Sequence, residues 1–227
     1  MANHGNSRHM KRIATSSYPR ISRKIATYIA KPTPGRHKLD RSVALFVILR
    51  DKLRLAATAA EAGRVITKGD IEVNGKIVRD VKYPVGLGDI IKLVKLNETY
   101  KVGVAKGATI KLDKEENKEN VRTLKVVGKY VVKGSKLMIR LYDGSTLEGT
   151  KDLRVNDSVI LSGKKIKKVL KFQEGAECLV IKGTHASETG VIKEIKVGSA
   201  TNATAVKLEK GGASFDTPVD NVMVIGA

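Results

Sequence analysis

The chain has 227 residues, with 43 Lys or Arg against 23 Asp or Glu, a formal net charge of +20 and a single cysteine. One cysteine makes neither an internal disulfide nor half a zinc site, and no apolar run reaches the roughly 18 residues of a membrane helix. No signal-type apolar core or lipidation motif opens the chain, so a soluble cytoplasmic protein whose partner is a polyanion is the simplest expectation, with nucleic acid first among polyanions.

Charge is not evenly spread. Residues 1–41 hold ten cations and one acid, Asp40, for a net +9. They are Arg8, Lys11, Arg12, Arg20, Arg23, Lys24, Lys31, Arg36, Lys38 and Arg41. With Pro, Gly, Ser and Thr scattered through it and no long apolar run, this stretch reads as a flexible basic arm that buries little core. Cations laid on phosphates release condensed counterions, so such an arm is expected to fold on RNA.

Ser42 to Leu53 places Leu45, Ile48, Leu49 and Leu53 at helical spacing, with Val43, Phe46 and Val47 on other faces, and predicts a well-buried helix with a cationic end at Arg50, Lys52 and Arg54. Thr58-Ala59-Ala60-Glu61 is a capping box opening a second helix that runs to about Lys68 and stops at Gly69. Gly63 inside it predicts close approach of another backbone. Asn74-Gly75, flanked by Ile71-Glu72-Val73 and Lys76-Ile77-Val78, is a hairpin signal. A further strand is expected over Ile90–Val94.

From Lys101 the pattern is all β, with short apolar runs between Gly, Asn and Asp. Strands are expected at Thr123–Val127, Tyr130–Val132, Leu137–Tyr142, Ser145–Glu148 and Ser158–Leu161, with a turn at Asp143-Gly144. Asp113 to Asn120 reads as a solvated polar loop rather than a metal site, because lysines interleave its carboxylates. Lys164, Lys165, Lys167 and Lys168 form a basic cluster read as phosphate contacts. Residues 171–227 carry a net charge of −1, unlike the rest. Strands near 177–181, 190–197, 205–209 and 221–225 there fit a small SH3-like barrel. Cys178, in the run Cys178-Leu179-Val180-Ile181, reads as a core residue.

No phosphate-binding loop, dinucleotide fingerprint or nucleophile elbow is present, and His4, His9, His37 and His185 lack zinc-site spacing. The four histidines read as hydrogen-bonding or RNA-facing groups. No enzymatic activity, cofactor, metal or small-molecule substrate is expected. Aromatic residues are 4% of the chain. Without a stacking platform, recognition is expected to rest on phosphate, ribose and RNA shape.

The order of the segments carries a resemblance. Ala60 to Lys76 (Ala-Glu-Ala-Gly-Arg-Val-Ile-Thr-Lys-Gly-Asp-Ile-Glu-Val-Asn-Gly-Lys) resembles the S-four RNA-binding domain, or alpha-L motif. Residues 175–193 (Gly-Ala-Glu-Cys-Leu-Val-Ile-Lys-Gly-Thr-His-Ala-Ser-Glu-Thr-Gly-Val-Ile-Lys) resemble a KOW motif. With the basic start Gly5 to Arg12, Pro34-Gly35-Arg36-His37-Lys38-Leu39, Tyr83-Pro84-Val85-Gly86-Leu87-Gly88-Asp89, Val155-Asn156-Asp157 and the closing Asn221 to Gly226, nearly the whole chain is similar to the e-type small-subunit ribosomal protein four family. The end at Ala227, soon after the closing motif, favours an archaeal-type member.

The resemblance implies a mixed α+β, multi-module fold: a basic extension (1–41), an S-four module of two helices and a small sheet (42–104), a central all-β module (105–170) and a C-terminal KOW SH3-like barrel (171–227). It implies a structural constituent of the small ribosomal subunit, with small-subunit ribosomal RNA and neighbouring ribosomal proteins as partners, and no membrane. The RNA-facing residues would be Arg8, Lys11, Arg12, Arg20, Arg23, Lys24, Arg36, His37, Lys38 and Arg41 on the arm. On the S-four module they would be Arg50, Lys52, Arg54, Arg64 and Lys68, joined by Lys164, Lys165, Lys167 and Lys168. Many S-four domains are basic where this chain has Thr58-Ala59-Ala60, which shifts weight to the arm. A KOW-bearing translation or transcription factor is the alternative within RNA binding; an RNA-modifying enzyme would need a catalytic domain of about 150 residues for which there is no room.

Overall fold

The computed structural model describes residues 9–115, 120–150, 152–163, 165–196, 198 and 204–226. Arg8 and Lys164, parts of the 113–120 loop and of the strand expected near 190–197, and Gly5 to Ser7 of the basic start lie outside the described residues. The chain forms two compact units, residues 1–103 with 109–118, and residues 104–108 with 119–227.

In the first unit the described part of the arm, residues 9–41, is tied into the fold. Strands β1 (Met10–Lys11) and β2 (Tyr28–Ile29) pair antiparallel. Tyr18 is 7% exposed and joins the core made by Val43, Leu45, Ile48, Leu49, Ile66, Ile71 and Ile91. The Ile110 N–H donates to the Tyr18 carbonyl at 2.9 Å, and the Thr33 N–H to the Lys82 carbonyl at 2.9 Å. The arm's polarity hid this: one aromatic plug and a few backbone bonds anchor a segment whose average composition could not make a core by itself.

Ser42–Ala44 is a strand, β3, paired with β6 (Pro84–Gly86), so the first helix begins three residues later than its apolar spacing predicts. Helix α1 (Leu45–Val47) continues as a π-helical turn over Ile48–Lys52, in which the Leu53 N–H reaches back five residues to the Ile48 carbonyl at 2.9 Å. Helix α2 (Ala59–Lys68) matches its capping signals: Thr58 Oγ1 accepts from the Glu61 N–H, and Gly69 ends the helix at φ 86°. The Glu61 carboxylate reaches back to the Ala57 N–H at 2.9 Å, one residue before the cap. Gly63 does not host a close backbone; a Cβ there would meet only Val81 Cγ2, at 3.9 Å.

Strands β4 (Ile71–Val73) and β5 (Lys76–Ile77) flank Asn74 and Gly75, whose φ of 55° and 75° make the expected mirror-image turn. With β7 (Ile90–Leu93), β8 (Glu98–Ala105) and β9 (Thr109–Glu115) they form a sheet of order β5-β4-β7-β8-β9. β9 therefore continues the first unit's sheet, and the boundary expected at 104/105 does not separate it. Asp113 and Glu115 belong to this strand rather than to a loop; Lys111 and Lys101 pair with them.

The second unit contains two sheets. β10 (Val121–Val132), β11 (Lys136–Leu141), β12 (Thr146–Glu148), β13 (Ser158–Ser162) and β14 (Lys165–Leu170) order as β12-β11-β10-β13-β14. The two strands expected at 123–127 and 130–132 are one long strand, irregular in register between Val126 and Gly128. Leu124, Val126, Ile139, Leu141, Leu153, Val159 and Leu161 make its core. β15 (Glu177–Val180), β16 (Thr189–Lys196), β17 (Ala205–Lys210), β18 (Ala213–Pro218) and β19 (Val222–Gly226) order as β18-β17-β16-β15-β19, around Cys178, Val180, Ile192, Val206, Leu208 and Val224. A Cβ on Gly190 would lie 2.9 Å from the Glu209 carbonyl oxygen, so this glycine of the KOW-like string allows β16 to sit against β17.

Candidate nucleic-acid interface

The arm and the helix pair of the first unit enclose a cleft of about 760 Å³. Arg12, Arg20, Arg50, Lys52 and Arg54 line it, together with Ile21, Ile25, Leu55 and Ala56. Five cations expected from the sequence to face RNA thus converge from two separate stretches. The π-helical turn carries Arg50 and Lys52, and Arg54 ends it with φ 54°, a left-handed conformation that glycine takes at far lower cost. Arg20, across the cleft, is also left-handed at φ 45°. Lys52 Nζ donates to the Arg20 carbonyl at 3.5 Å. Partial burial first, and the Arg20 charge second, push the Lys52 pKa below its ordinary value. Asp51, which with Glu61 supplies carboxylates to the same lining, acts on Lys52 in the opposite sense.

The cleft cations differ in how free they are. Arg50 is held by Asp51 at 2.6 Å and lies 5.5 Å over the Phe46 ring. Arg12 is 8% exposed, and its guanidinium donates to the Ser22 carbonyl at 2.8 Å and the Tyr28 carbonyl at 3.3 Å. It therefore clamps the 12–28 loop, where a phosphate contact was expected. Arg23 does similar work on the Ile13 and Thr15 carbonyls but stays exposed. Lys11, Arg20, Lys24, Lys38 and Arg54 are exposed; Arg36 and Arg41 are half-buried.

His37 corrects a second expectation. Its side chain is 2% exposed, and Nε2 donates to Asp89 Oδ2 at 2.7 Å. The same carboxylate accepts from the Gly86 N–H at 3.0 Å and from Asn74 Nδ2 at 2.7 Å. Asn74 Oδ1 in turn accepts the Ile90 N–H at 3.0 Å. A Cβ on Gly86 would sit 2.5 Å from the His37 ring, so only glycine admits the histidine. Burial raises the Asp89 pKa, but the His37 interaction and the hydrogen bonds from Gly86 and Asn74 outweigh it and leave the carboxyl below its ordinary range. His37 is turned into the fold, not out to solvent as an RNA-facing residue was expected to be. It latches the arm to the turn between β6 and β7 and so positions the cations on either side of it.

The S4 domain model matches residues 45–91, the stretch that holds both helices, the hairpin and Asp89, and the model described as Ribosomal family S4e matches residues 96–168. The small ribosomal subunit protein eS4 of Archaeoglobus fulgidus is 35% identical over 221 residues, covering 96% of this chain and 93% of that protein. The chain belongs to the ribosomal S4e family. The eS4 protein of Thermoplasma volcanium is 34% identical, over 96% of this chain and 92% of its own length. The crystal structure of the 30S ribosomal protein S4e from Thermoplasma acidophilum superposes with a TM-score of 0.72 at 32% identity, covering 83% of this chain and 96% of that one.

In this S4e chain the other expected cations are not gathered into the cleft. Arg64 and Lys68 are exposed on α2, away from its lining. Lys165, Lys167 and Lys168 are exposed on β14 in the second unit, where a register shift opposite Lys167 turns neighbouring lysines outward. The residues that sequence reasoning missed are Asp89, Asn74 and Gly86. The signal was present, since His37 and Gly86 to Asp89 sit in two of the matching strings, but nothing in one dimension says the strings meet.

Proposed function

We propose that this protein is a structural constituent of the small ribosomal subunit that binds small-subunit ribosomal RNA through the cationic face of its first unit. The observation that carries the reading is the convergence of Arg20, Lys52 and Arg54 on one cleft in a chain of the S4e family. The exposed cations Lys11, Arg23, Lys24, Lys38, Arg64 and Lys68 are part of the same proposal, and so are Lys165, Lys167 and Lys168 on the other unit. Arg8 and Lys164 belong to the same proposal on charge alone. The sheet order β18-β17-β16-β15-β19, a meander whose last strand returns to β15, supports reading residues 171–227 as the SH3-like KOW barrel. Its near-neutral charge supports a protein neighbour or a close-fitting RNA contact rather than bulk electrostatic attraction. The setting that follows is the ribosome in the cytoplasm, and the role is non-enzymatic.

Sedimentation of a native extract on a sucrose gradient, repeated after a high-salt wash, tests this. The protein should remain near-stoichiometric with the small subunit after the wash. Loss to the top of the gradient would overturn the reading.

A further inference from the structure

We propose that the cleft between the arm and the helix pair receives a single unstacked nucleotide of the RNA, its base against Ile25 and Leu55 and its phosphates on Arg20, Lys52 and Arg54. This rests on the RNA-binding reading above and adds to it the form of RNA recognised: a bulge or loop rather than a continuous duplex.

Three observations lead there. The first is size. At about 760 Å³ the cleft matches a pocket for one compact organic group, while a surface that only steers a duplex needs no such depth. The second is the mixed lining. Ile25 is 78% exposed and Leu55 42% exposed, yet both stand among cations in the same cleft. Phosphate alone leaves these apolar groups in water. A base presents a flat, weakly hydrated face to cover them, and unstacked bases are what proteins read in RNA. The third is backbone conformation. Arg20 and Arg54 both occupy the left-handed region where glycine would be cheaper. Two arginines kept in that conformation on one cleft point to guanidinium groups needed at those places, with backbones that aim them.

The test uses the full chain reconstituted into small subunits. A photoreactive p-benzoylphenylalanine replaces Ile25 in one preparation and Ile13 in another; Ile13 is 75% exposed on the arm but outside the cleft. Position 25 should crosslink to one unpaired nucleotide, whose base edge is open to chemical modification without the protein and shielded with it. Arg54→Gly suits the local φ, so the fold should survive. It should raise the protein concentration for half-protection of that base by about tenfold, the loss of one charge-assisted hydrogen bond. A crosslink from position 25 to a paired nucleotide or to a protein would overturn the proposal. So would an unmoved half-protection point, or RNA crosslinks at position 13 with none at 25; these leave RNA binding by the first unit intact. Absence of RNA crosslinks at both positions would sink the RNA-facing reading itself, and the proposal with it.

Discussion

Asp89→Ala would delete the one carboxylate that holds three donors from three separate segments: His37 Nε2 at 2.7 Å, the Gly86 N–H at 3.0 Å and Asn74 Nδ2 at 2.7 Å. Asp89 is 1% exposed, so water does not replace it. Each orphaned donor costs about 1–3 kcal/mol, which sums naively to roughly 3–9. Removing the charge also removes its own burial cost, the largest single influence on this group. Breaking one side of a buried pair typically costs about 3–5 kcal/mol, and we expect about 4 here. Because the chain has two units, global unfolding would blur the effect. Hydrogen exchange followed on peptides spanning residues 84–93 reads the first unit alone. A loss of about 4 kcal/mol accelerates exchange there by roughly a thousandfold. Peptides from residues 177–180 and 205–210 should not change. Acceleration of less than about tenfold at 84–93 would refute the view that the latch is a closed, buried network. The acid limb has a definite sign. Asp89 has a depressed folded pKa, so its contribution is complete above the ordinary value of 3.8 and fades as pH falls from there through the folded value.

Lys125 should mark the second unit on the alkaline side. Its burial lowers its pKa from 10.5 to about 8, while Nζ donates to the Val219 carbonyl at 2.6 Å. A depressed lysine binds fewer protons folded than unfolded, so its presence costs about 3 kcal/mol below pH 8, relieved as pH rises from about 8 towards 10.5. Neighbouring Cys178, raised to about 12, works in the opposite sense above its ordinary 9.0, so the comparison must be wild type against Lys125→Met. Their difference in urea midpoint should shift in favour of wild type over that range, and a pH-independent difference would refute it. Gly63→Ala should stabilise the chain by up to about 1 kcal/mol, read as a rise in the melting point of the first unit, because the position is helical and has room for the methyl group. Neutralising Arg20, Lys52 or Arg54 singly should reduce the slope of log K against log[salt] for ribosomal RNA by about 0.7–0.9 for each phosphate no longer neutralised. Arg12→Gln should leave that slope alone and instead loosen the 12–28 loop, seen as faster exchange of the residue-12 amide, which donates to the Thr27 carbonyl at 3.0 Å.

Local chemistry made much of the chain legible. Helix α2 is written in Thr58, Glu61 and Gly69 because caps are satisfied within a few residues. The hairpin at Asn74-Gly75 follows because both turn residues take a positive φ, and at Asp143-Gly144 the glycine alone takes it, at φ 81°. The Val155-Asn156-Asp157 string shows where such reading stops. Asp157 accepts from the Arg154 N–H at 2.7 Å, which is local, and from the Phe172 N–H at 2.9 Å, which is not. Several strings that carry the resemblance therefore tie distant parts of the fold together.

Composition and short-range sterics act within a few residues, so the order of amino acids was enough for the capped helix and the hairpin turns. Which cations are free is a matter of tertiary structure. Arg12 and His37 looked like Arg20 and Lys38 on a basic arm, but carbonyls 10 and 16 residues away and a carboxylate 52 residues away claim the first pair. A charge is available to RNA only when nothing nearer in space satisfies it, and nearness in space is what folding creates.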